Sequence, residues 1–442
     1  LLLTCGCSWF RTALPLATPV YHARADAAAE PLKAGAAAVD ITPRQKNLYL
    51  GGYGAGGRRS SGVHDSIYAR ALLLKRGEME LALVALDVVG VQREDFFSLR
   101  KRLEDIDSRH LWIAATHNHS GPDTLGLWGF PLLVSGQDRD YMKQLEEGIL
   151  EALRKARASL RPAELASGTI RVEAEGFIRN LRRPGLVDNE VVVLHVREPG
   201  SGSTIATLVE LGCHPEVLDR HNHLITADFP HYTVRRLEER LGGTAIYVSG
   251  ALGGLVTPDL RTYTSGEREG EERTDFEEAA RIGHTLAISA EEVVASLGEY
   301  ESEPDLALWH TPLFLQCQNW RYGLLRWTGI LNRRFYGKAY VESEVNLWQV
   351  GELRMVTVPG EITPDLGLRI KANAGHPAML MGLANDMLGY LLPEHDFDLK
   401  IYRYERTLCV GRKAGDRIRE RLLDLFLMAG APAETLTTSP AE

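Results

Sequence analysis

How the apolar runs end is the feature that most constrains this chain. Runs such as "LWIAAT" (111–116), "TIATLVELGC" (204–213), "IYVSGALGG" (246–254) and "LRMVTVPGE" (353–361) each break off at a turn marked by Gly or Pro. Apolar runs of this length suit buried strands, and Gly and Pro punctuate them. Between them lie segments with apolar residues at helical spacing: 93–106, 140–160, 228–241 and 274–297, with others near 364–374 and 414–429. Further strands are expected at 34–43, in a pair joined at Gly77-Glu78, and at 166–175, 190–196, 305–312, 340–350 and 378–383. The alternation lacks the regular βαβ rhythm of a barrel or a dinucleotide-binding fold. It predicts an α/β (α+β) chain with mixed β-sheets flanked by helices.

The chain has 442 residues, 44% of them hydrophobic, which is ample for a sizeable core. Ala23-Arg24-Ala25 before Asp26 has the small-x-small form of a cleavage site. Residues 1–25 are therefore expected to be a leader, 26–442 a single domain, and the protein to be exported. A disordered Ala-rich leader is the plain alternative, and a lipid anchor at Cys5 or Cys7 a third. No later segment reaches the ~18 uninterrupted apolar residues of a membrane span. Net charge is −9 and no basic block stands out, which argues against nucleic acid as a partner. Cys5, Cys7, Cys213, Cys317 and Cys409 follow no zinc-finger or redox spacing, so no disulfide framework is expected, although one bridge stays open. The polar segment 262–278 is expected to be a surface excursion, and the tail 435–442 to be frayed.

Chemistry gathers where the strands stop. "ATHNHSGPD" (115–123) places His117 and His119 one residue apart, on one side if the strand runs on through them. The following "SGPD" forces a turn. Alone, such a pair is as consistent with satisfied or surface histidines as with a metal. Other runs end in the same way: Cys213-His214-Pro215, Pro359-Gly360-Glu361, and "PAMLMGLANDMLGY", which runs through Gly382 towards Tyr390. Neutral imidazoles and a carboxylate suit a catalytic Zn²⁺ that keeps one position open. Alone, Glu361 would be an acid at a helix N-terminus. In "GALGGLVTPD" (250–259) a Gly-rich turn permits close approach to backbone N–H groups, and Thr257 offers a hydroxyl. The Lys-Ser/Thr of a phosphate loop is missing.

Several residues keep two readings. "HNH" (221–223) is a metal site or a solvated loop. Asp87 orients a ligand imidazole or is a strand-end acid satisfied by backbone N–H groups. Asp228 orients an imidazole or caps a helix. The aromatic and cationic segment 318–340 is a lipid-facing flap or core packing with Arg stems at the surface.

Taken in order, "GGYGAGGRRSSGVHDSIYARALLL", "THNHSGPD", "GALGGLVTPD", "VPGEITPDLGLRI" and "GLANDMLGY" resemble the motifs of the neutral/alkaline non-lysosomal ceramidases, in their N-terminal catalytic domain. The resemblance runs from about residue 34 to 410. It implies a ceramidase-like catalytic fold and one Zn²⁺ per chain, held by His117, His214, Glu361 and Tyr390. It implies His119 beside the metal for proton transfer and Tyr404 as oxyanion donor, with Tyr402 as its rival. His64 is implied to line the substrate site. Thr257 stands where the family has a serine described as a nucleophile, and Leu255 where its loop has an Asp. "RNLRRPG" (179–185) matches the family's Asn-Arg-Ser-Pro segment only loosely, and the chain stops where the family usually continues into an immunoglobulin-like domain. The implied activity is zinc-dependent hydrolysis of the N-acyl bond of a ceramide-like lipid amide by zinc-activated water. A hydrolase of another acylamide, ester or peptide, and a non-catalytic binding protein, are the alternatives. Transient contact with a membrane surface and the oligomeric state are left open.

Overall fold

The chain is described by a computed structural model covering residues 18–54, 57–103, 106–131, 133–261, 274–337 and 339–431. Cys5, Cys7, residues 262–273 of the expected surface excursion and the tail 435–442 lie outside the described residues.

Three mixed sheets dominate the fold. The first runs Leu111–Ala115, Met79–Leu86, Tyr68–Arg76, Lys33–Asp40, Arg161–Pro162. The second runs Thr244–Ser249, Thr204–Leu211, Glu190–Arg197, Glu164–Arg171. The third runs Tyr21–Arg24, Leu306–Gln316, Tyr340–Val350, Leu353–Thr357, Ala378–Met381, with Phe335–Tyr336 paired to its middle strand.

Each sheet is antiparallel except for one pair at its edge. Met79–Leu86 pairs in parallel with Leu111–Ala115. Thr204–Leu211 does so with Thr244–Ser249, and Leu353–Thr357 with Ala378–Met381. The three parallel edges meet. Ser249 Oγ donates to the Thr116 carbonyl at 2.7 Å, Gly382 N to the Ser249 carbonyl at 2.8 Å, and Asn385 N to the Ile113 carbonyl at 2.7 Å. Strands buried on both faces are continuously apolar, which is why these runs show no alternation in the sequence. One core joins all three sheets through Trp112, Ile246, Val248, Trp348, Met355 and Met379.

Helices cover the outer faces. Arg139–Ala158 packs on the first sheet. Asp138 caps it by accepting from the amides of Asp140 and Tyr141, and its buried stripe is Tyr141, Leu145, Ile149, Ala152 and Ala156. Phe229–Leu241 and Phe276–Ser296 pack together over the second sheet, and Pro364–Ala374 and Ala414–Met428 over the third. The expected α+β class with mixed sheets is therefore observed. No helix among the described residues is long and apolar enough to cross a membrane.

The 25/26 boundary expected from the cleavage-site pattern falls inside this architecture. Tyr21–Arg24 is an edge strand in register with Ala307–His310, and the Ala25 amide donates to the Leu306 carbonyl at 2.8 Å.

Candidate active site

The chain segments that leave the parallel strands converge on one buried cluster. Leu111–Ala115 ends before His117, which turns with a left-handed backbone, φ 64°. His117 and His119 therefore do not share the face of a continuing strand. The turn brings their rings together instead, with centroids 4.8 Å apart. Non-Gly residues in this region are uncommon and costly, and they concentrate where the surroundings dictate the geometry. Leu255, Leu383 and Asn385, in the neighbouring strand-end turns, also have positive φ.

The tautomers follow from the partners. His117 Nδ1–H donates to the Val89 carbonyl at 2.6 Å, and His214 Nδ1–H to the Val256 carbonyl at 2.7 Å. A carbonyl only accepts, so each Nδ1 carries a proton and Nε2 is the ring nitrogen turned to the cluster. Both Nε2 atoms aim at the same Glu361 oxygen, from 3.5 Å for His117 and 3.3 Å for His214. Burial alone would raise the Glu361 carboxyl, but the two histidines outweigh it and hold it far below the usual range. The Tyr390 hydroxyl donates to Glu361, and burial pushes its own pKa well up. Glu361 and Tyr390 are neighbours because the short strands Glu361–Ile362 and Tyr390–Leu391 pair in register. Two imidazole nitrogens, a carboxylate and a phenol, all buried, form a donor set that fits a metal ion. His119 adds a third imidazole: one ring nitrogen from each of His117, His119 and His214 lies within 4.8 Å of the others.

His119 is held separately. Its Nδ1 lies 3.1 Å from a carboxylate oxygen of Glu216. Burial lowers the His119 pKa to about 4 against the pull of Glu216, so the ring is neutral. Burial also opposes ionisation of Glu216, yet His214, His119 and the Thr257 hydroxyl hold its pKa at about 2. The contact pairs Nδ1 with the carboxylate and leaves Nε2 as the nitrogen free to accept a proton. The Gly-Gly-Tyr segment packs behind it. A Cβ on Gly52, φ +105°, would lie 2.4 Å from the His119 ring. Tyr53 meets that ring edge-on at 4.9 Å and donates to the Glu216 carbonyl at 2.9 Å.

A cleft opens over this cluster. His117, His119, Glu361, Tyr390 and Tyr404 form its polar floor and rim. Leu125, Leu127, Trp128, Leu325, Leu331 and Met387 supply apolar walls. A few convergent polar groups in an otherwise apolar cleft are the usual anatomy of a small-molecule site.

Comparison with known proteins shows what this chain resembles. Residues 32–251 match the family model described as neutral/alkaline non-lysosomal ceramidase, N-terminal. That stretch of the chain is similar to this ceramidase family. A neutral ceramidase of Mycobacterium tuberculosis is 25% identical over 241 residues, 50% of this chain and 37% of that protein. A neutral ceramidase of Pseudomonas aeruginosa is 25% identical over 300 residues, 62% of this chain and 44% of that protein. The aligned stretches thus span less than half of either relative. The crystal structure of a neutral ceramidase from Pseudomonas aeruginosa superposes with a TM-score of 0.73 at 18% identity, covering 93% of this chain and 77% of that one. The two share a fold.

Against this ceramidase fold, the expected site residues sort as follows. His117, His119, His214, Glu361, Tyr390 and Tyr404 come together. Tyr402 is only 2% exposed and packs among Tyr390, Leu392 and Cys409, so it does not reach the cleft. His64 is not among the residues lining this cleft; it stacks on Phe276 at 3.6 Å and pairs with Asp65 at 2.9 Å. Thr257 is buried, lies outside the cleft lining and bonds to Glu216. A carboxylate therefore does sit beside Thr257, supplied by the His214 segment and not by Leu255. The 179–185 segment reaches the same place, with Arg179 opposite Thr257 in a short strand pair. Gly253 makes its close approach to protein: a Cβ there would lie 2.3 Å from the Glu361 carbonyl.

Asp87 accepts from the Tyr68 amide at 2.8 Å, and Asp228 caps its helix while also accepting from the amides of Val217 and Leu218. Both follow their plain readings. In the "HNH" segment, His223 Nδ1 bonds to the Arg59 carbonyl, away from the metal-type cluster. Glu216 was missed in the sequence. Its only signal was an acid two residues beyond His214, in "CHPEV".

Proposed function

We propose that this protein is a zinc-dependent hydrolase of lipid amides and that it cleaves the N-acyl bond of a ceramide-like substrate. One observation carries the reading: the Nε2 atoms of His117 and His214 converge on Glu361 at the floor of an apolar cleft. His119 stands beside them with its own carboxylate partner. The kinship with neutral ceramidases supports the choice of bond and substrate class.

His117, His214, Glu361 and Tyr390 are the residues that would hold zinc, which when bound supplies Lewis acidity and an acidified water at neutral pH. His119 accepts a proton at Nε2 and returns it to the leaving amine, while Glu216 fixes its ring and tautomer. Tyr404, at the rim beside Tyr390 with ring centroids 5.9 Å apart, donates to the oxygen that gains charge. The apolar walls take the acyl chain and exclude water from the polar floor. Thr257 positions Glu216 and is not a nucleophile. Export to the cell envelope or beyond is part of the same proposal.

The test is metal analysis of the purified protein together with hydrolysis of a short-chain ceramide before and after chelation and zinc restoration. Stoichiometric zinc and zinc-restored fatty-acid release are expected. A metal-free protein with full turnover would overturn the metal reading. Turnover only of esters or peptides would overturn the substrate class.

A further inference from the structure

The 318–340 segment is not used by the chemistry above. It forms a short helix, Trp320–Trp327, at the mouth of the cleft. Its inner face is occupied: Tyr322 and Leu325 line the cleft, and the Tyr322 hydroxyl donates to the Leu388 carbonyl at 2.7 Å. Both flanks are tied down. Asn319 donates to the carbonyls of Thr407 and Cys409, each at 2.9 Å, and Arg333 is fully buried against Asp386. The helix is thus anchored to the segments that carry Tyr390 and Tyr404.

Its outer face is different. Trp320 and Trp327 are 68% and 80% exposed. They stand two helical turns apart, so both project from the same side, with Leu324 between them. Exposed Arg321, which also lines the cleft, and exposed Arg326, which donates to the Arg333 carbonyl, flank them, and the helix carries no acidic residue. Across the cleft mouth, the loop bearing Leu127 and Trp128 continues to Phe130 and Val134, which are 63% and 48% exposed. The two banks adjoin: a Cβ on Gly126 would lie 3.3 Å from Ile330. Single exposed apolar residues are ordinary. Here they cluster around an opening that leads to the metal-type site.

We propose that this rim, centred on Trp320 and Trp327, docks the protein on an anionic lipid surface and sets the cleft mouth against the source of its substrate. Indoles suit the headgroup boundary, where one part of the ring is wet and the rest apolar. Arginines on the same short helix favour anionic lipid, which a chain of net charge −9 would otherwise avoid. The inference rests on the lipid-amide reading of the cleft and adds the surface and its charge preference.

The experiment uses vesicles that contain no amide substrate. The full chain is mixed with vesicles of phosphatidylcholine alone or with phosphatidylglycerol, and binding is followed by co-sedimentation and tryptophan emission. The expected result is binding to the anionic vesicles with a blue-shifted emission, weakened by salt. The double variant Trp320→Ser/Trp327→Ser should bind about tenfold or more weakly, a loss on the scale of two buried aromatic rings. It should keep its thermal unfolding midpoint and its turnover of a soluble short-chain substrate. Absence of vesicle binding, equal binding by the double variant, or equal binding to pure phosphatidylcholine would overturn the proposal. So would a wild-type dimer that the double variant dissolves, since the rim would then be a self-association face. Hydrolysis without vesicle binding defeats the docking surface alone; vesicle binding without amide hydrolysis defeats the substrate reading alone.

Discussion

His119 Nδ1 lies 3.1 Å from Glu216, and Glu216 in turn bonds to Thr257. This chain of contacts sets a carboxylate beside the histidine next to the metal-type cluster. Glu216→Gln should therefore keep the fold and the bound metal but lower kcat by about 10–100-fold, the usual cost of losing a partner that orients a site imidazole. Parallel metal analysis and steady-state kinetics measure it. Unchanged kcat would remove Glu216 from the mechanism.

His214→Ala and Glu361→Ala should each abolish metal binding and turnover while the circular dichroism spectrum stays native. Both side chains are buried at the convergence point, so neither can be bypassed by solvent ligands. Stoichiometric metal in the Glu361→Ala protein would overturn this ligand set.

His119→Ala should retain the metal and lose turnover by about 10²–10⁴, the range for general acid–base help. Its Nδ1 is committed to Glu216, which separates it from His117 and His214, whose Nδ1 atoms face carbonyls. Loss of metal in this variant would make His119 a ligand.

Thr257→Ala should leave measurable activity and Thr257→Ser should change it modestly, because the hydroxyl serves Glu216 from outside the cleft lining. Rapid quench with mass spectrometry is the decisive measurement. An acyl group on the peptide containing Thr257 would establish covalent catalysis instead.

The two tyrosines separate cleanly. Tyr404 lines the cleft and is 45% exposed, whereas Tyr402 is buried in packing. Tyr404→Phe should reduce kcat by about 10²–10³, the loss seen when one oxyanion donor is removed. Tyr402→Phe should leave kcat nearly unchanged. The reverse pattern would exchange their roles.

Much of this was legible in the chain itself. Apolar runs that end in Gly- or Pro-marked turns located the strands, and His117, His214 and Glu361 were found because each follows such a run. Helix positions followed from spacing, as with Tyr141, Leu145 and Ile149, because the 3.6-residue period is a local property. What the sequence could not carry was relation across distance. Each parallel edge pair joins strands separated by one crossover helix, but the three edges meet behind the site across long stretches of chain, as where Asn385 donates to Ile113, and no local period encodes that meeting. The left-handed turn at His117 was likewise hidden, because tertiary contacts override the residue's own preference there. Glu216 looked like any acid after a proline until folding removed it from water and set it against His119 and Thr257. Tyr402 and Tyr404 sit two residues apart with the same chemistry. Only the packing of the segment, burying one ring and leaving the other at the rim, decides which can meet a substrate.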